Sequence, residues 1–525
     1  MREKTITEAV AGMQNGQMRT IELEDDHQVL VSRIDDNWFA IYGKCSHYGA
    51  PLAKGALSGH RVVCPWHHAC FDARTGTQLE GPGVESLPQY EILERDGEII
   101  LHIPDADSMR STCPAHLHSH EEGHEKTYVI VGGGAAALYA AEGMRRARFR
   151  GRIVMICKEE ALPYDRTKAS KAYLEGKAED DGMPLLSEDF FEKYDIELRR
   201  GVSATQLDPE QQQVRLSDGG TLTYDKILIA TGSTPRPLPV PGADLDGVFT
   251  LRTWADAKTL RERAESAERV VVIGASFIGL EAAQALQKHD CRVTVVAPEK
   301  IPFSEVFGEE IGQHIARLHS EAGIELRLPA KVASITGAEG RVTGVVLESG
   351  KTLPADLVVV GIGVKPATDW LPDELTDDKG AIEVDDQLSY SPTLYAAGDV
   401  AKFPLNQQKV RIEHWKVAAD QGRAAGRIMA DDSTTYNAIP FFWSAQQGKN
   451  FRYVGHAEDW DTLHIDGTVA DNDFLAYYGK SGTIQAVLGV GRDAAVAAIQ
   501  ELMYEGRMVG MSDVEEGWSV SGQLA

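Results

Sequence analysis

Cysteine and long hydrophobic runs are scarce in this 525-residue chain. It has only six cysteines, and their irregular spacing is unlike the disulfide framework of a small secreted domain. Nowhere do about 18 apolar residues follow one another, and the N-terminal segment lacks the apolar core of a signal peptide. The sequence therefore predicts a cytoplasmic protein without a membrane span. Two of its cysteines stand close to histidines, which points to metal chemistry.

Positive charge is also in short supply. The 53 lysines and arginines face 79 aspartates and glutamates, so the formal net charge is −26. Such a chain repels phosphates, which argues against nucleic acid or an anionic membrane as its main partner. The composition is otherwise that of a globular protein, with 43% hydrophobic residues and 50 glycines. The length predicts about three or four domains.

The pattern of strands and helices changes several times along the chain. Short alternating strands predict a compact all-β domain at the N-terminus, and a polar, histidine-rich linker follows it. A strand–helix–strand pattern, with its helix over 135–146, then begins, and the same pattern restarts at Arg269, which predicts two Rossmann-like α/β domains in tandem. Aromatic-rich strands and a final helix predict an α+β domain. The predicted boundaries are 1–106 for the all-β domain, 107–125 for the linker, 126–248 with 372–435 for the first α/β domain, 249–371 for the second, and 436–525 for the α+β domain.

Two polar segments have alternative interpretations. The linker carries metal-binding residue types, but a solvated hinge is favoured over a metal site; the residues are Cys113, His116, His118, His120 and His124. The arginine-rich stretch 144–152 is interpreted as a solvated helix end, with docking to an acidic partner as the alternative.

Two short motifs pair cysteine with histidine. Cys45 and His47 form C-x-H, and Cys64 and His67 form C-x-x-H, with sixteen residues between the two motifs. Two cysteines and two histidines are the ligands of a Rieske [2Fe–2S] centre, in which one iron takes two thiolates and the other two imidazoles. A zinc site uses the same ligand types, and a vestigial site is a further alternative. The spacing favours the iron–sulfur cluster.

A first glycine-rich turn follows the strand that opens the first α/β domain. Residues 132–137 read G-x-G-x-x-A, which lets the backbone approach a pyrophosphate at a helix N-terminus. Glu159, after the second strand, is placed to bind the ribose hydroxyls of an adenosine. The turn predicts a dinucleotide site that includes Gly132, Gly134, Ala135, Ala136 and Glu159.

A second such turn opens the second α/β domain. It reads G-x-S-x-x-G and predicts a nicotinamide dinucleotide site that includes Gly274, Ser276, Phe277, Ile278 and Gly279. After the second strand, Glu299 stands near the usual acidic position and no arginine pair follows, so NADH is favoured over NADPH. Glycine-rich turns that bind nothing are the alternative, but two of them in this order make that interpretation the weaker one.

From residue 126 onward the chain resembles the ferredoxin-reductase branch of the pyridine-nucleotide flavoproteins. With its front domain it is similar to Rieske-bearing reductases of the apoptosis-inducing-factor type. The matching segments are LPYDRTKASK, ATGSTPR, GASFIGLE, AAGDV, RIEHWKVAADQG and PFFWS. The resemblance implies FAD, a Rieske cluster and NADH, with NADPH as the alternative.

The resemblance also implies roles for individual residues. Lys171 and Glu281 would form an ion pair beside the N5 edge of the flavin. Trp415 and Trp443 would lie against the flavin and the nicotinamide pocket. Asp399 would bind the ribityl chain. The remaining implied cofactor-binding residues are Arg166, Ala230, Thr231, Gly232, Gly363 and Gly398.

One departure from the family concerns the cluster. Many relatives have glycine and serine directly after the second ligand histidine, where the serine hydroxyl donates to a cluster sulfide. Here His68 and Ala69 occupy those positions. Loss of that donor predicts a potential in the low part of the Rieske range.

The sequence thus predicts an enzyme that passes electrons from NAD(P)H through FAD to a Rieske cluster and on to an unidentified acceptor. The acceptor would be a ferredoxin-like or oxygenase-type protein or a small molecule, and a homodimer is the expected alternative to a monomer. The rival hypotheses are an NADH-responsive signalling or assembly protein and an NADH oxidase.

Overall fold

The computed structural model describes residues 2–24, 26–105, 112, 117–121, 123–406 and 408–520. Its architecture confirms the predicted fold class, with an all-β N-terminal domain, two Rossmann-like domains and a C-terminal α+β domain. Cys113 and His116 of the linker lie outside the described residues, so the metal hypothesis for that segment stays a prediction.

The N-terminal domain consists of three small antiparallel sheets, with strand orders β1-β11-β10, β2-β3-β4-β9 and β5-β6-β7-β8. Val29, Leu30 and Val31 are fully buried at its centre. The two Cys/His motifs occupy the connections that precede β5 and β7. The strands are β1 (Arg2–Thr5), β2 (Gln17–Glu22), β3 (Gln28–Ile34), β4 (Asn37–Tyr42), β5 (Ala56–Ser58), β6 (Arg61–Val63), β7 (Cys70–Asp72), β8 (Gln78–Glu80), β9 (Gln89–Tyr90), β10 (Ile92–Arg95) and β11 (Glu98–Ile103).

The first α/β domain opens with a parallel sheet whose strands are continuous apolar runs, as expected for strands covered on both faces. Its first helix has the predicted bounds. The elements are β12 (Thr127–Val131), α1 (Ala135–Arg146), β13 (Arg152–Cys157), α2 (Glu188–Lys193), β14 (Ile196–Arg200), β15 (Ala204–Asp208), β16 (Gln213–Leu216), β17 (Thr221–Thr223), β18 (Lys226–Ile229) and β19 (Ser233–Pro235).

The second α/β domain repeats the order of strands and helices of the first. As in the first domain, a three-stranded antiparallel meander follows the early parallel strands and precedes a further parallel strand. Its parallel sheet has the order β20-β27-β21-β22-β23. The elements are β20 (Val248–Thr250), α3 (Trp254–Ala264), β21 (Arg269–Ile273), α4 (Phe277–Gln287), β22 (Arg292–Val296), α5 (Ser304–Phe307), α6 (Glu309–Glu321), β23 (Glu325–Arg327), β24 (Val332–Ala338), β25 (Arg341–Leu347), β26 (Thr352–Pro354), β27 (Leu357–Val360) and β28 (Val364–Pro366).

The chain then returns to the first α/β domain, where β31 pairs in parallel with β18 and α7 packs along α1. This return completes the sheet order β14-β13-β12-β18-β31-β30. The returning elements are β29 (Ile382–Glu383), β30 (Ser389–Ser391), β31 (Leu394–Ala396), β32 (Ala401–Leu405), β33 (Gln408–Val410) and α7 (Trp415–Met429).

The C-terminal domain is a five-stranded antiparallel sheet of order β34-β35-β38-β37-β36 followed by helices. It packs on the second α/β domain, and Ala497 and Ala498 of its first helix contact Ala56 and Val63 of the N-terminal domain. Among the described residues, no helix combines the length and apolar character that crossing a membrane requires. The elements are β34 (Phe441–Gln446), β35 (Lys449–Gly455), β36 (Thr462–Thr468), β37 (Asp473–Lys480), β38 (Thr483–Val490), α8 (Asp493–Tyr504) and α9 (Met511–Glu515).

The interpretation of 144–152 as a solvated helix end is wrong for Arg145. Arg145 is fully buried and donates to the backbone carbonyls of Tyr194, Phe149, Gly151 and Asp195, at 2.7–2.9 Å. A guanidinium group has five N–H donors, so it can satisfy several carbonyls at once inside the protein. Composition alone does not reveal such a role.

Glycines bring the backbones of α1 and α7 into contact, which leads to a prediction for Gly426→Ala. A Cβ atom at Gly426 would lie 2.1 Å from the Ala140 carbonyl oxygen, and no side-chain rotation relieves a contact with backbone. Helix propensity favours alanine by about 1 kcal/mol. We nevertheless expect a net loss of about 1–3 kcal/mol in the free energy of unfolding, because α7 must move off α1. Denaturant titration measures the loss.

Gly182→Ala is the control for that experiment, since a Cβ atom there meets nothing within 4 Å. If Gly426→Ala were as stable as Gly182→Ala, the close packing of the two helices would be wrong.

Candidate functional site

The four predicted cluster ligands lie on two loops with the same backbone hydrogen bonds. In each loop the cysteine N–H donates to the carbonyl of an alanine five residues later, at 2.8 Å. In each, the fourth residue after the cysteine has a left-handed backbone, with φ of 72° at Gly49 and 56° at His68. The two loops are therefore matching halves of one clamp.

The ligands meet in two pairs across these loops. Nδ1 of His47 lies 3.2 Å from Nδ1 of His67. The thiols of Cys45 and Cys64 are both buried and interact with each other. No three or more His, Cys, Asp or Glu side chains of the described residues are grouped to hold one metal ion. A sulfur pair and a nitrogen pair fit a two-iron cluster better than a zinc ion, which needs its ligands around one point.

His68, the departure from the family pattern, attaches the cluster loop to the C-terminal domain. Its fully buried ring stacks on Phe441, with 3.8 Å between centroids and 17° between planes. Its Nδ1 atom lies 2.6 Å from Oε1 of Gln500. These contacts hold a non-glycine residue in the left-handed region that usually favours glycine. Ala69 has no hydroxyl to donate to a cluster sulfide. The low cluster potential expected from this absence stays a prediction.

Paired charges are buried where the N-terminal domain meets α7. Nζ of Lys416 lies 3.3 Å from Glu80 and 2.5 Å from Asp420, and it is 0% exposed. Asp420 in turn accepts from the Gly81 N–H at 3.0 Å. Burial alone would raise the pKa of Glu80, but Lys416 and Arg61 outweigh it and lower that pKa to about 2. Glu80 and Lys416 are thus both charged inside the interface.

The first glycine-rich turn has the shape that a dinucleotide needs. A Cβ atom at Gly132 would lie 2.2 Å from the Ala230 carbonyl oxygen, whereas one at Gly134 meets nothing within 4 Å. The Thr231 hydroxyl is buried without a hydrogen-bond partner. An open helix N-terminus and an unpaired buried hydroxyl, both at positions implied for FAD, fit that cofactor.

Two acidic residues of this region already have partners. Glu159 accepts from Arg166 and from the Tyr164 hydroxyl, each at 2.8 Å. Asp399 accepts from the Ser233 hydroxyl at 2.5 Å and from Arg252 at 2.9 Å. No motif or spacing in the sequence connects Arg252 with a residue 147 positions later, so this contact could not be predicted.

Three domains meet at the predicted ion pair. Nζ of Lys171 lies 2.7 Å from Oε2 of Glu281, whose carboxylate is buried in α4. Glu281 also accepts from the hydroxyls of Ser170 and Ser444, each at 2.7 Å. The structure thus brings the two predicted residues together and adds two serines that the sequence did not indicate.

Two hydrogen bonds of Ser276 explain why a serine occupies the middle position of the second glycine-rich turn. The Ser276 hydroxyl caps α4 by accepting from the Gly279 N–H at 3.2 Å, and it donates to the Gly361 carbonyl at 3.0 Å. A Cβ atom at Gly274 would lie 2.3 Å from that same carbonyl oxygen. Serine therefore replaces the middle glycine without closing the turn, and the exposed Ile278 borders it.

The two predicted tryptophans lie beside the cluster histidines. Trp443 is 4.3 Å from His67 between ring centroids, and Trp415 is 6.5 Å from His47 with the planes 16° apart. The indole Nε1 of Trp415 is buried without a hydrogen-bond partner. The sequence related these tryptophans to the flavin and nicotinamide only, so their contact with the cluster loops is a result of domain packing.

Fold and site together define an oxidoreductase with two dinucleotide-binding domains and an attached iron–sulfur domain. Family models match residues 126–422 as pyridine nucleotide-disulphide oxidoreductase, 4–91 as Rieske [2Fe-2S] domain and 441–516 as reductase C-terminal domain. The chain belongs to the pyridine nucleotide-disulphide oxidoreductase family, as a Rieske-bearing member similar to apoptosis-inducing factor.

Known relatives match nearly the whole chain or about two thirds of it or more. Apoptosis-inducing factor 3 of Mus musculus is 36% identical over 517 residues, which cover 96% of this chain and 85% of that protein. Rhodocoxin reductase of Rhodococcus erythropolis is 36% identical over 353 residues, covering 66% of this chain and 82% of that protein. The solved ferredoxin reductase for the CYP199A2 system from Rhodopseudomonas palustris is 33% identical with a TM-score of 0.71, covering 76% of this chain and 98% of that one. These matches confirm the predicted family and an FAD- and NAD(P)H-dependent oxidoreductase.

Proposed function

We propose that this chain passes electrons from NADH through FAD to a Rieske cluster held by Cys45, His47, Cys64 and His67, and on to an acceptor. The observation that carries the proposal is the proximity of the predicted cluster histidines to two tryptophans, with ring centroids 4.3 Å apart for His67 and Trp443 and 6.5 Å apart for His47 and Trp415. When bound, the nicotinamide dinucleotide would supply a hydride, FAD would convert this pair of electrons into single electrons, and the cluster would carry one electron at a time.

The protein's own residues bind and orient these groups. The N-termini of α1 and α4 offer backbone N–H groups and a positive dipole end to the two pyrophosphates. The residues that we propose to bind FAD or the nicotinamide dinucleotide are Gly132, Gly134, Ala135, Ala136, Glu159, Arg166, Lys171, Ala230, Thr231, Gly232, Gly274, Ser276, Phe277, Ile278, Gly279, Glu281, Gly363, Gly398, Asp399, Trp415 and Trp443.

Lys171, Glu281 and Trp415 are the residues that we propose to act in catalysis. Glu281 is fixed by two serine hydroxyls, so it holds the Lys171 ammonium in one place. A fixed cation close to the reacting atoms favours the arrival of negative charge. The acceptor that the ferredoxin reductase relatives support is a ferredoxin-like protein.

An anaerobic NADH titration followed by visible absorption and EPR tests the proposal. We expect the flavin absorption to bleach and the Rieske EPR signal to rise in the same titration without any added mediator. A flavin that is reduced while the cluster stays oxidised would contradict the electron path.

Lys171→Met is expected to slow flavin reduction by NADH by about tenfold to a hundredfold, since it removes a preorganised charge from the reacting centre. Anaerobic stopped-flow absorption measures that rate. The control is Lys177→Met, which removes the ion pair of an exposed lysine with Glu175 and leaves the rate as in the wild type. An unchanged rate in Lys171→Met would exclude the lysine from hydride transfer.

A further inference from the structure

Tyr48 lies at the tip of the first cluster loop and contacts both predicted histidine ligands. Its ring stacks on His47, with 3.9 Å between centroids and 13° between planes. It meets His67 edge-on, at 5.4 Å and 87°. The residue is nevertheless 40% exposed, so burial of apolar surface alone does not explain its position.

Tyr48 also joins this loop to the first α/β domain. Its hydroxyl donates to Oδ2 of Asp165, a buried carboxylate. The other oxygen of Asp165 accepts from the Thr167 N–H at 3.0 Å and from the Thr167 hydroxyl at 2.6 Å, which caps the turn Arg166–Lys168. The Lys168 ammonium lies 5.3 Å from the Tyr48 ring centroid. One side chain thus connects the cluster ligands to the turn that leads to Lys171.

We propose that Tyr48 is a positioning residue for electron transfer from the flavin to the cluster. The stack holds the plane of the His47 imidazole, whose position relative to Trp415 is thereby set, and the hydroxyl holds the loop on Asp165. This inference rests on the proposed function. Each transfer would take one electron from the reduced flavin and reduce one ferric ion of the cluster. The acceptor would oxidise the cluster before the second electron of the hydride follows, and protons would be released to solvent.

Variants of Tyr48 separate the two contacts. Tyr48→Phe keeps the stack and loses the hydroxyl, whereas Tyr48→Leu loses both. We expect cluster reduction, followed by stopped flow after NADH has reduced the flavin, to slow about tenfold in Tyr48→Phe and about a hundredfold in Tyr48→Leu, because small displacements of reacting groups have effects of this size. The rate of flavin reduction stays as in the wild type.

Two further readouts distinguish positioning from simple packing. Tyr48→Leu shifts the EPR g values and the midpoint potential of the cluster, since His47 loses its stacked ring, whereas Tyr48→Phe leaves the g values unchanged. In an Asp165→Ala background, Tyr48→Phe produces no further slowing, because the partner of the hydroxyl is already absent. Trp66→Leu is the matched control: it replaces the other exposed aromatic residue of the two loops, whose backbone carbonyl, not its ring, accepts from Arg452.

Three outcomes overturn the inference: wild-type transfer rate and g values in Tyr48→Leu, equal slowing in Trp66→Leu, or additive effects of Tyr48→Phe and Asp165→Ala. If NADH fails to reduce the cluster of the wild type, the proposed function is wrong. In that case, EPR of the dithionite-reduced proteins still tests whether Tyr48 positions His47. Shifted g values in Tyr48→Leu support this role, and g values equal to those of the wild type contradict it.

Discussion

Cys64→Ser is expected to abolish the Rieske EPR signal and electron delivery to one-electron protein acceptors, while NADH still reduces the flavin. Cys64 is buried and its thiol pairs with that of Cys45 on the opposite loop. A serine hydroxyl is a hard ligand that does not replace a thiolate on iron. The glycine-rich turns and the Lys171–Glu281 pair are formed by other domains and are not altered. EPR of the dithionite-reduced protein and reduction of an added one-electron protein acceptor measure the two losses.

Cys70→Ser is the control for this experiment. Cys70 is a fully buried cysteine of the same domain that stands outside both ligand motifs. Burying a hydroxyl there costs stability but leaves all four proposed ligands in place, so the EPR signal is retained. Undiminished electron delivery to the protein acceptor in Cys64→Ser would contradict electron transfer through the cluster.

Lys416→Met is expected to destabilise the contact between the N-terminal domain and α7 by about 3–5 kcal/mol, because it leaves two buried carboxylates without their shared cation. Those carboxylates are Glu80 and Asp420. We expect earlier denaturant unfolding, faster proteolysis between the domains and slower cluster reduction by NADH. Lys402→Met provides the comparison, since Lys402 also bridges two carboxylates, Asp377 and Glu383, but at a partly exposed site. Its loss is expected to cost less than about 1 kcal/mol.

The pH dependence of stability is expected to differ between the wild type and Lys416→Met. In the wild type the pKa of Glu80 falls from an ordinary value of 4.5 to about 2. Its contribution is therefore complete above the ordinary value and lost as the pH falls toward 2. Burial already raises the pKa of Asp420, and without Lys416 that pKa rises further. The deficit of Lys416→Met is thus full at neutral pH and shrinks as the pH falls below 4.5, and equal deficits at pH 3 and pH 7 would contradict the buried charge pairing.

The elements of the dinucleotide-binding domains could be predicted because their signals are local. The helix over 135–146 follows directly from a strand and a glycine turn, and the same order restarts at Arg269. The spacing of each Cys/His motif likewise places its two ligands on one loop. The misinterpretation of Arg145 has the opposite origin, since its four carbonyl partners lie on a loop and a turn that only the folded domain brings around it.

By itself the sequence determined the family, the four domain types and the residues proposed to hold the cofactors, because these depend on spacings of a few residues along one strand, turn or loop. Only the tertiary structure decided how the domains are joined. It placed Tyr48 on Asp165, His68 on Gln500, and Ser444 on Glu281. Each of these contacts connects residues more than a hundred positions apart, so the packing of domains sets them and no local pattern records them.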